Sequence, residues 1–163
     1  LTHQLVRHRI ASFSQQSQRY VDGSHFDYVM PPAIARNAAA KARFEQFMED
    51  VGSAYRDIKA LLEQDGRTGS RANEDARFVL PQAAASKIVV TMNCRALVHF
   101  FEERCCMRAQ WEIRAVADVM LGLCREVLPE LFAHAGAKCE RLGYCPEGER
   151  FTCGRYPLRQ SMP

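Results

Sequence analysis

Residues 4–20 gather side chains that can grip an anion. Arg7, Arg9 and Arg19 stand there with His8, with Ser12, Ser14 and Ser17, and with Gln4, Gln15, Gln16 and Gln18. Guanidinium forks hold phosphate oxygens bidentately, and hydroxyls and amides fill the remaining acceptors. Hardly any aliphatic residue follows Ile10 in this stretch, so it is poor core material. On composition alone the plainer reading is a solvated helix end followed by a polar loop.

A second group lies far along the chain. Asn93, Cys94 and Arg95 are followed by His99 and Arg104. The segment 95–105 reads as a helix whose apolar face is Leu97, Phe100 and Phe101. Arg104 lies seven, four and three residues beyond them and so shares that face. A buried unpaired charge is costly, so Arg104 requires an acidic or anionic partner. Arg95 and His99, four apart, share a different face. Taken alone, His99 is a satisfied core or surface histidine.

The third group is sulfur. Cys139, Cys145 and Cys153 fall within fifteen residues, and Cys105 and Cys106 stand upstream. Three such cysteines and one from a helix could bind zinc tetrahedrally. The spacing lacks a Cys-x-x-Cys knuckle, so free thiols are the leading reading and no metal ligand is assigned. Seven cysteines and no visible secretion signal point to reduced thiols in a cytoplasmic protein.

The elements that must position these groups follow from the periodicity. Phe26, Tyr28 and Met30 alternate with polar neighbours as a weak strand, ended by Pro31-Pro32. A long helix is expected over 34–64, with Phe44, Phe47, Met48, Val51, Tyr55, Ile58, Leu61 and Leu62 on one face. A short helix over 70–77 begins with Ser70 as its N-cap and closes before Pro81. Arg77, next to Phe78-Val79-Leu80, either packs its stem at the surface or contacts a ligand. Residues 87–93 form the best strand. The last helix runs over 109–132 on a stripe of Ile113, Val116, Met120, Leu123, Val127 and Leu131, bent at Pro129, with Trp111 as a packing anchor.

Composition sets the outer bounds. A chain of 163 residues with 47% hydrophobic and 25% charged residues suits one globular domain. No run of about 18 apolar residues suggests a membrane span. The net charge of +3 is too small to argue for nucleic acid. Of 22 cationic residues 18 are arginine, which fits phosphate recognition but equally a GC-rich genome.

Three blocks in order resemble one family. Arg7-His8-Arg9, then Ser17, then Arg19-Tyr20, is similar to the signature of the flavin-dependent thymidylate synthases. Ala76-Arg77-Phe78-Val79-Leu80-Pro81 resembles a second block. Asn93-Cys94-Arg95-Ala96-Leu97, Phe100, Arg104 and Ala109-Gln110-Trp111-Glu112-Ile113 resemble a third. The resemblance covers residues 1–135, with a cysteine-containing tail at 136–163. It implies an α+β fold, an antiparallel sheet packed against long helices. It also implies an N-terminal, strand-rich part ahead of Leu1 that adds flavin contacts. The chain is therefore expected to be a truncated portion of its protein.

The implied activity is reductive methylation of dUMP to dTMP. FAD is the cofactor, and NADPH and 5,10-methylenetetrahydrofolate are co-substrates. The implied assembly is a homotetramer with shared active sites, with neither nucleic acid nor membrane as partner. Carried over residue by residue, Arg7, His8, Arg9, Gln15, Asn93, Cys94, Arg95 and His99 contact the flavin. Gln4, Gln15, Gln16, Ser17, Gln18, Arg19, Arg77 and Arg104 bind the nucleotide. Arg104 is the catalytic residue, contacting the uracil and helping to ionise it. Ser14-Gln15 stands where the family usually has Asn-Glu, which removes a carboxylate. Ser17 then has His8 nearby but no acid to orient it, so Ser17 is expected to bind rather than attack. The competing classes are a non-catalytic oligomerising fragment and an arginine-rich phosphate- or RNA-binding helical module.

Overall fold

In the computed structural model, which describes residues 1–159, Leu1–Phe13 and 90–159 make up one compact unit and Ser14–Val89 a second. In chain order the elements are α1 (Thr2–Leu5), β1 (Ser12–Gln15), α2 (Pro32–Ala35), α3 (Ala38–Gln64) and α4 (Ser70–Ala76). A 3-10 turn at Arg77–Val79 leads to β2 (Ile88–Thr91), α5 (Cys94–Arg104), α6 (Trp111–Val127), α7 (Pro129–Phe132) and α8 (Lys138–Leu142). The architecture is α+β, but the sheet among the described residues is small: β1 and β2 pair antiparallel, four residues each. No helix among the described residues is long and apolar enough to cross a membrane.

In the second unit, α3 packs Met48, Val51 and Tyr55 inward, and α4 answers with Ala72, Asn73 and Ala76. Small residues on α4 let the wide Tyr55 ring seat fully between the helices. Phe47 and Leu61, expected on the buried stripe, are exposed. The helix expected over 34–64 is broken in two. Pro32 opens α2, where its missing N–H costs nothing. Asn37 is extended, and its side chain accepts from the Ala40 amide, so α3 begins with its own cap. Ser70 is not the N-cap of α4. That place belongs to Gly69, whose backbone (φ 60°, ψ −131°) suits a residue without Cβ. The alternation at 26–30 yields one isolated bridge, Tyr28 to Ala84, rather than a strand.

In the first unit, Phe100, Phe101, Ile113, Ala117 and Phe132 are fully buried. Phe101 packs edge-on against Phe100 and Phe132, with ring centroids 5.6 and 6.0 Å apart. Asn93 caps α5 by accepting from Ala96 N, and Gln110 caps α6 by accepting from the amides of Glu112 and Ile113. The helix expected over 109–132 stops at Leu128 instead of bending. Proline at 129 forces its predecessor out of the helical region (φ −139°, ψ 66°) and then starts α7. The buried face of α6 also differs from the expected stripe. It is Ile113, Ala117 and Leu121, while Val116, Leu123, Val127 and Leu131 face outward. The apolar arc of α6 is wider than one neighbour can cover.

The tail through residue 159 belongs to the first unit. Helix α8 ends on Gly143 in the left-handed region (φ 75°), whose amide returns to Cys139 O. Cys145 N then bonds Pro157 O at 2.7 Å.

Candidate active site

Helix α1 and the turn after it lie against α5 within the first unit, and their meeting point is Arg104. Arg104 Nε donates to His8 Nε2 at 3.0 Å. Its Nη1 donates to Gln4 Oε1 at 3.3 Å and its Nη2 to the Gln4 backbone oxygen at 2.9 Å. Three of the five N–H donors of a guanidinium are thereby committed. The ring of His8 is buried among Phe100, at 5.0 Å, and His99, at 5.6 Å, both edge-on.

Of the acidic or anionic partner expected for Arg104, no acidic side chain among the described residues hydrogen-bonds it. All three acceptors are neutral. The adjacent carboxylate, Glu103, is engaged by Lys138. Burial and the nearby Arg7 disfavour the charge of Arg104, and Glu103 favours it. An arginine keeps its proton regardless, so the fork is a fixed cation whose charge no contacting carboxylate cancels.

His8 can accept from Arg104 only as a neutral ring, with its proton on Nδ1. Burial, then Arg104 and His99, lower its pKa below the ordinary histidine value, against an opposing pull from Glu103. Between the lowered folded value and the ordinary one, the unfolded chain binds more protons. Stability is therefore expected to fall as pH drops through that window, and His8 is silent above it. An NMR titration should place the His8 midpoint below the ordinary histidine value. His8→Gln, which keeps an acceptor, should abolish the acid-side loss; a midpoint at or above the ordinary value contradicts the assigned hydrogen bond.

Arg7, Arg9, Arg95 and His99 are exposed. The three arginines have no acidic partner among the described residues. His99 Nδ1 is 4.0 Å from Glu102. Asn93 and Cys94 sit at the start of α5, where Asn93 spends its side-chain oxygen on the cap.

The remaining candidates lie in the second unit. Gln15 donates to Ser86 Oγ at 2.9 Å, and Gln16 accepts from Lys87 N at 3.2 Å. These glutamines tie the end of β1 to the approach to β2. Ser17 Oγ accepts from Arg19 N, and Gln18 is half-buried. Glu74 organises two arginines: its carboxylate lies 3.4 Å from Arg19 Nε, and its backbone oxygen accepts from Arg77 Nε at 3.2 Å. Arg19 Nε is buried and makes no hydrogen bond, an unspent donor. Arg77 thus packs on α4's end and over the Phe78 ring. Sequence reasoning assigned nothing to Glu74 or Gln110, which sit in the ordinary polar positions of a short helix and a cap.

This donor set suits phosphate and diphosphate ligands. Arg7, Arg9 and Arg95 lack carboxylates among the described residues, and Arg19 pairs with Glu74 through Nε without a well-formed hydrogen bond there. The profile of a family described as thymidylate synthase complementing protein matches residues 1–130. A protein from Clostridium tetani named flavin-dependent thymidylate synthase is 48% identical over 163 residues, 95% of this chain and 65% of its own length. One of the same name from Geobacter sulfurreducens is 52% identical over 156 residues, 94% of this chain and 63% of its own. A third, from Thermococcus onnurineus, is 45% identical over 162 residues, 94% of this chain and 62% of its own. The chain spans just under two thirds of the length of these relatives.

Proposed function

The chain belongs to the flavin-dependent thymidylate synthase family, and on that premise we propose that the protein carrying it converts dUMP to dTMP by reductive methylation. In this reading 5,10-methylenetetrahydrofolate supplies the carbon, NADPH the reducing equivalents, and FAD is the resident cofactor. One observation carries it: the Arg104 fork, held by Gln4 and His8 with two donors uncommitted and its charge uncancelled by contact. A uracil ring that gains negative charge at its carbonyls would meet a cation already oriented for it.

Flavin, when bound, supplies the redox and carbon-relay chemistry, and the protein supplies placement and charge. Arg7, Arg9 and Arg95 would hold its diphosphate, with His8, His99, Asn93, Cys94 and Gln15 completing its contacts. Arg19 and Arg77, fixed by Glu74, would hold the dUMP phosphate, with Gln4, Gln16, Ser17 and Gln18 as further contacts. The outward valines and leucines of α6 support the homotetramer, because Val119, Leu123 and Val127 are 66, 57 and 76% exposed on one side of a helix.

The test is direct. Intact protein carrying this chain should purify yellow with a flavin absorption band. It should form dTMP from dUMP only when methylenetetrahydrofolate and NADPH are both present. A protein that stays colourless after incubation with FAD and forms no dTMP overturns the proposal.

A further inference from the structure

The cysteine cluster of the tail has no part in the chemistry above, and the structure brings it together. Cys106, Cys139, Cys145 and Cys153 all line one small cavity of about 20 Å³. They come from four separate places. Cys106 follows the end of α5, Cys139 lies in the first turn of α8, and Cys145 follows the Gly143 turn. Cys153 precedes the turn at Gly154. Cys139 and Cys145 are buried. The space suits one water or one ion and is far too small for an organic ligand.

The cysteine left ambiguous by the sequence is now decided. Cys105 is buried and does not line the cavity. Cys106 instead lines the cavity beside Cys139. Arg108, Lys138 and Arg155 also line the cavity, together with Glu102 and Glu147.

The tail needs such a staple. From Gly136 to Arg159 its regular structure is one five-residue helix and one isolated bridge. Partly exposed ion pairs tie it down, Lys138 with Glu103, Arg141 with Glu102 and Arg108 with Glu147, and Arg155 pairs with Glu140 inside the tail. Pairs of this kind contribute about 0–1 kcal/mol each. All seven cysteines are free, so no disulfide supplies the missing hold.

We propose that Cys106, Cys139, Cys145 and Cys153 form a four-thiolate structural site for one zinc ion, pinning the tail to the end of α5. Four soft thiolates converging from loops select zinc with tetrahedral geometry. Among the described residues no three His, Cys, Asp or Glu side chains form a ready-made metal site. In the proposal, ion binding draws the four thiols together around one centre. The inference is independent of the thymidylate reading, since none of its four residues is a proposed flavin or nucleotide contact.

The experiment uses the intact protein, prepared under reducing conditions without chelator. Elemental analysis should find about one zinc per chain, as a single site with four cysteine ligands requires. Cobalt exchanged for zinc should give the intense visible bands and near-ultraviolet thiolate charge transfer of a tetrahedral sulfur site. That spectrum needs no variant to fold. Cys106→Ser combined with Cys145→Ser should lose most of the bound zinc, while Cys124→Ser should keep it. Four results would overturn the proposal: no zinc and no cobalt spectrum, iron with inorganic sulfide in its place, disulfides among the four, or zinc retained in the double variant.

Discussion

Arg104→Ala is expected to lower dTMP turnover by about 10²–10³-fold, the usual loss when one preorganised donor is removed from developing charge. The folded structure should survive. Arg104 is only half-buried, and the Phe100, Phe101 and Phe132 packing that holds α5 lies beside it, not on it. Removing the side chain leaves three acceptors on Gln4 and His8 without their donor. Arg104→Lys should recover only part of the activity. One ammonium cannot meet Gln4 and His8 together while still presenting donors to a substrate. The measurement is dUMP-dependent oxidation of the reduced flavin in the intact enzyme, with circular dichroism as the folding control. A folded, flavin-loaded Arg104→Ala with near-parental turnover would make Arg104 a packing residue.

That prediction shows what local pattern can and cannot reveal. The place of Arg104 on the Phe100 and Phe101 face follows from helical spacing alone. Its partners do not, because Gln4 and His8 lie 100 and 96 residues earlier in the chain. An unpaired arginine on an apolar face predicts a partner of opposite charge; the fold supplies neutral acceptors from Gln4 and His8. The same limit explains α6. Its period was legible, but Val116 and Ile113 are equally apolar, and only the position of α5 and α7 decides that Ile113 turns inward. Asn37 was a missed break for a different reason. An asparagine inside an alanine-rich run has modest propensity cost, and its extended backbone becomes visible only with its bond to Ala40. The cysteines were legible as a cluster, while the choice of Cys106 over Cys105 needed the cavity, which Cys106 lines and Cys105 does not.

The largest stability effect should come from Tyr55. Its ring is fully buried between α3 and α4, and its hydroxyl works in two directions. It accepts from Gly23 N at 3.0 Å and donates toward Asn73 Oδ1 at 3.4 Å. Both partners are themselves buried. Tyr55→Ala should therefore cost about 3–5 kcal/mol, the range for emptying a buried aromatic site. For a chain of this size that lowers the melting temperature by roughly 6–20 °C. Tyr55→Phe keeps the ring and strands the Gly23 amide, at about 1–3 kcal/mol. Gly23 is glycine for room rather than for backbone freedom: a Cβ there would lie 2.9 Å from Tyr55 Cε2 and 3.2 Å from Leu80 Cδ1. Gly23→Ala should destabilise the parent but cost less in a Tyr55→Ala background, a coupling that a double-mutant cycle reads directly. Gly23 comes three residues after Tyr20, the end of the anion-gripping stretch, so the same hydroxyl also anchors the chain that carries Arg19. Tyr55→Phe should accordingly raise the KM for dUMP more than it lowers kcat. Urea denaturation, with the activity split measured on the folded variants, tests both effects. Strictly additive costs at Gly23 and Tyr55 would show that the contact between them contributes nothing.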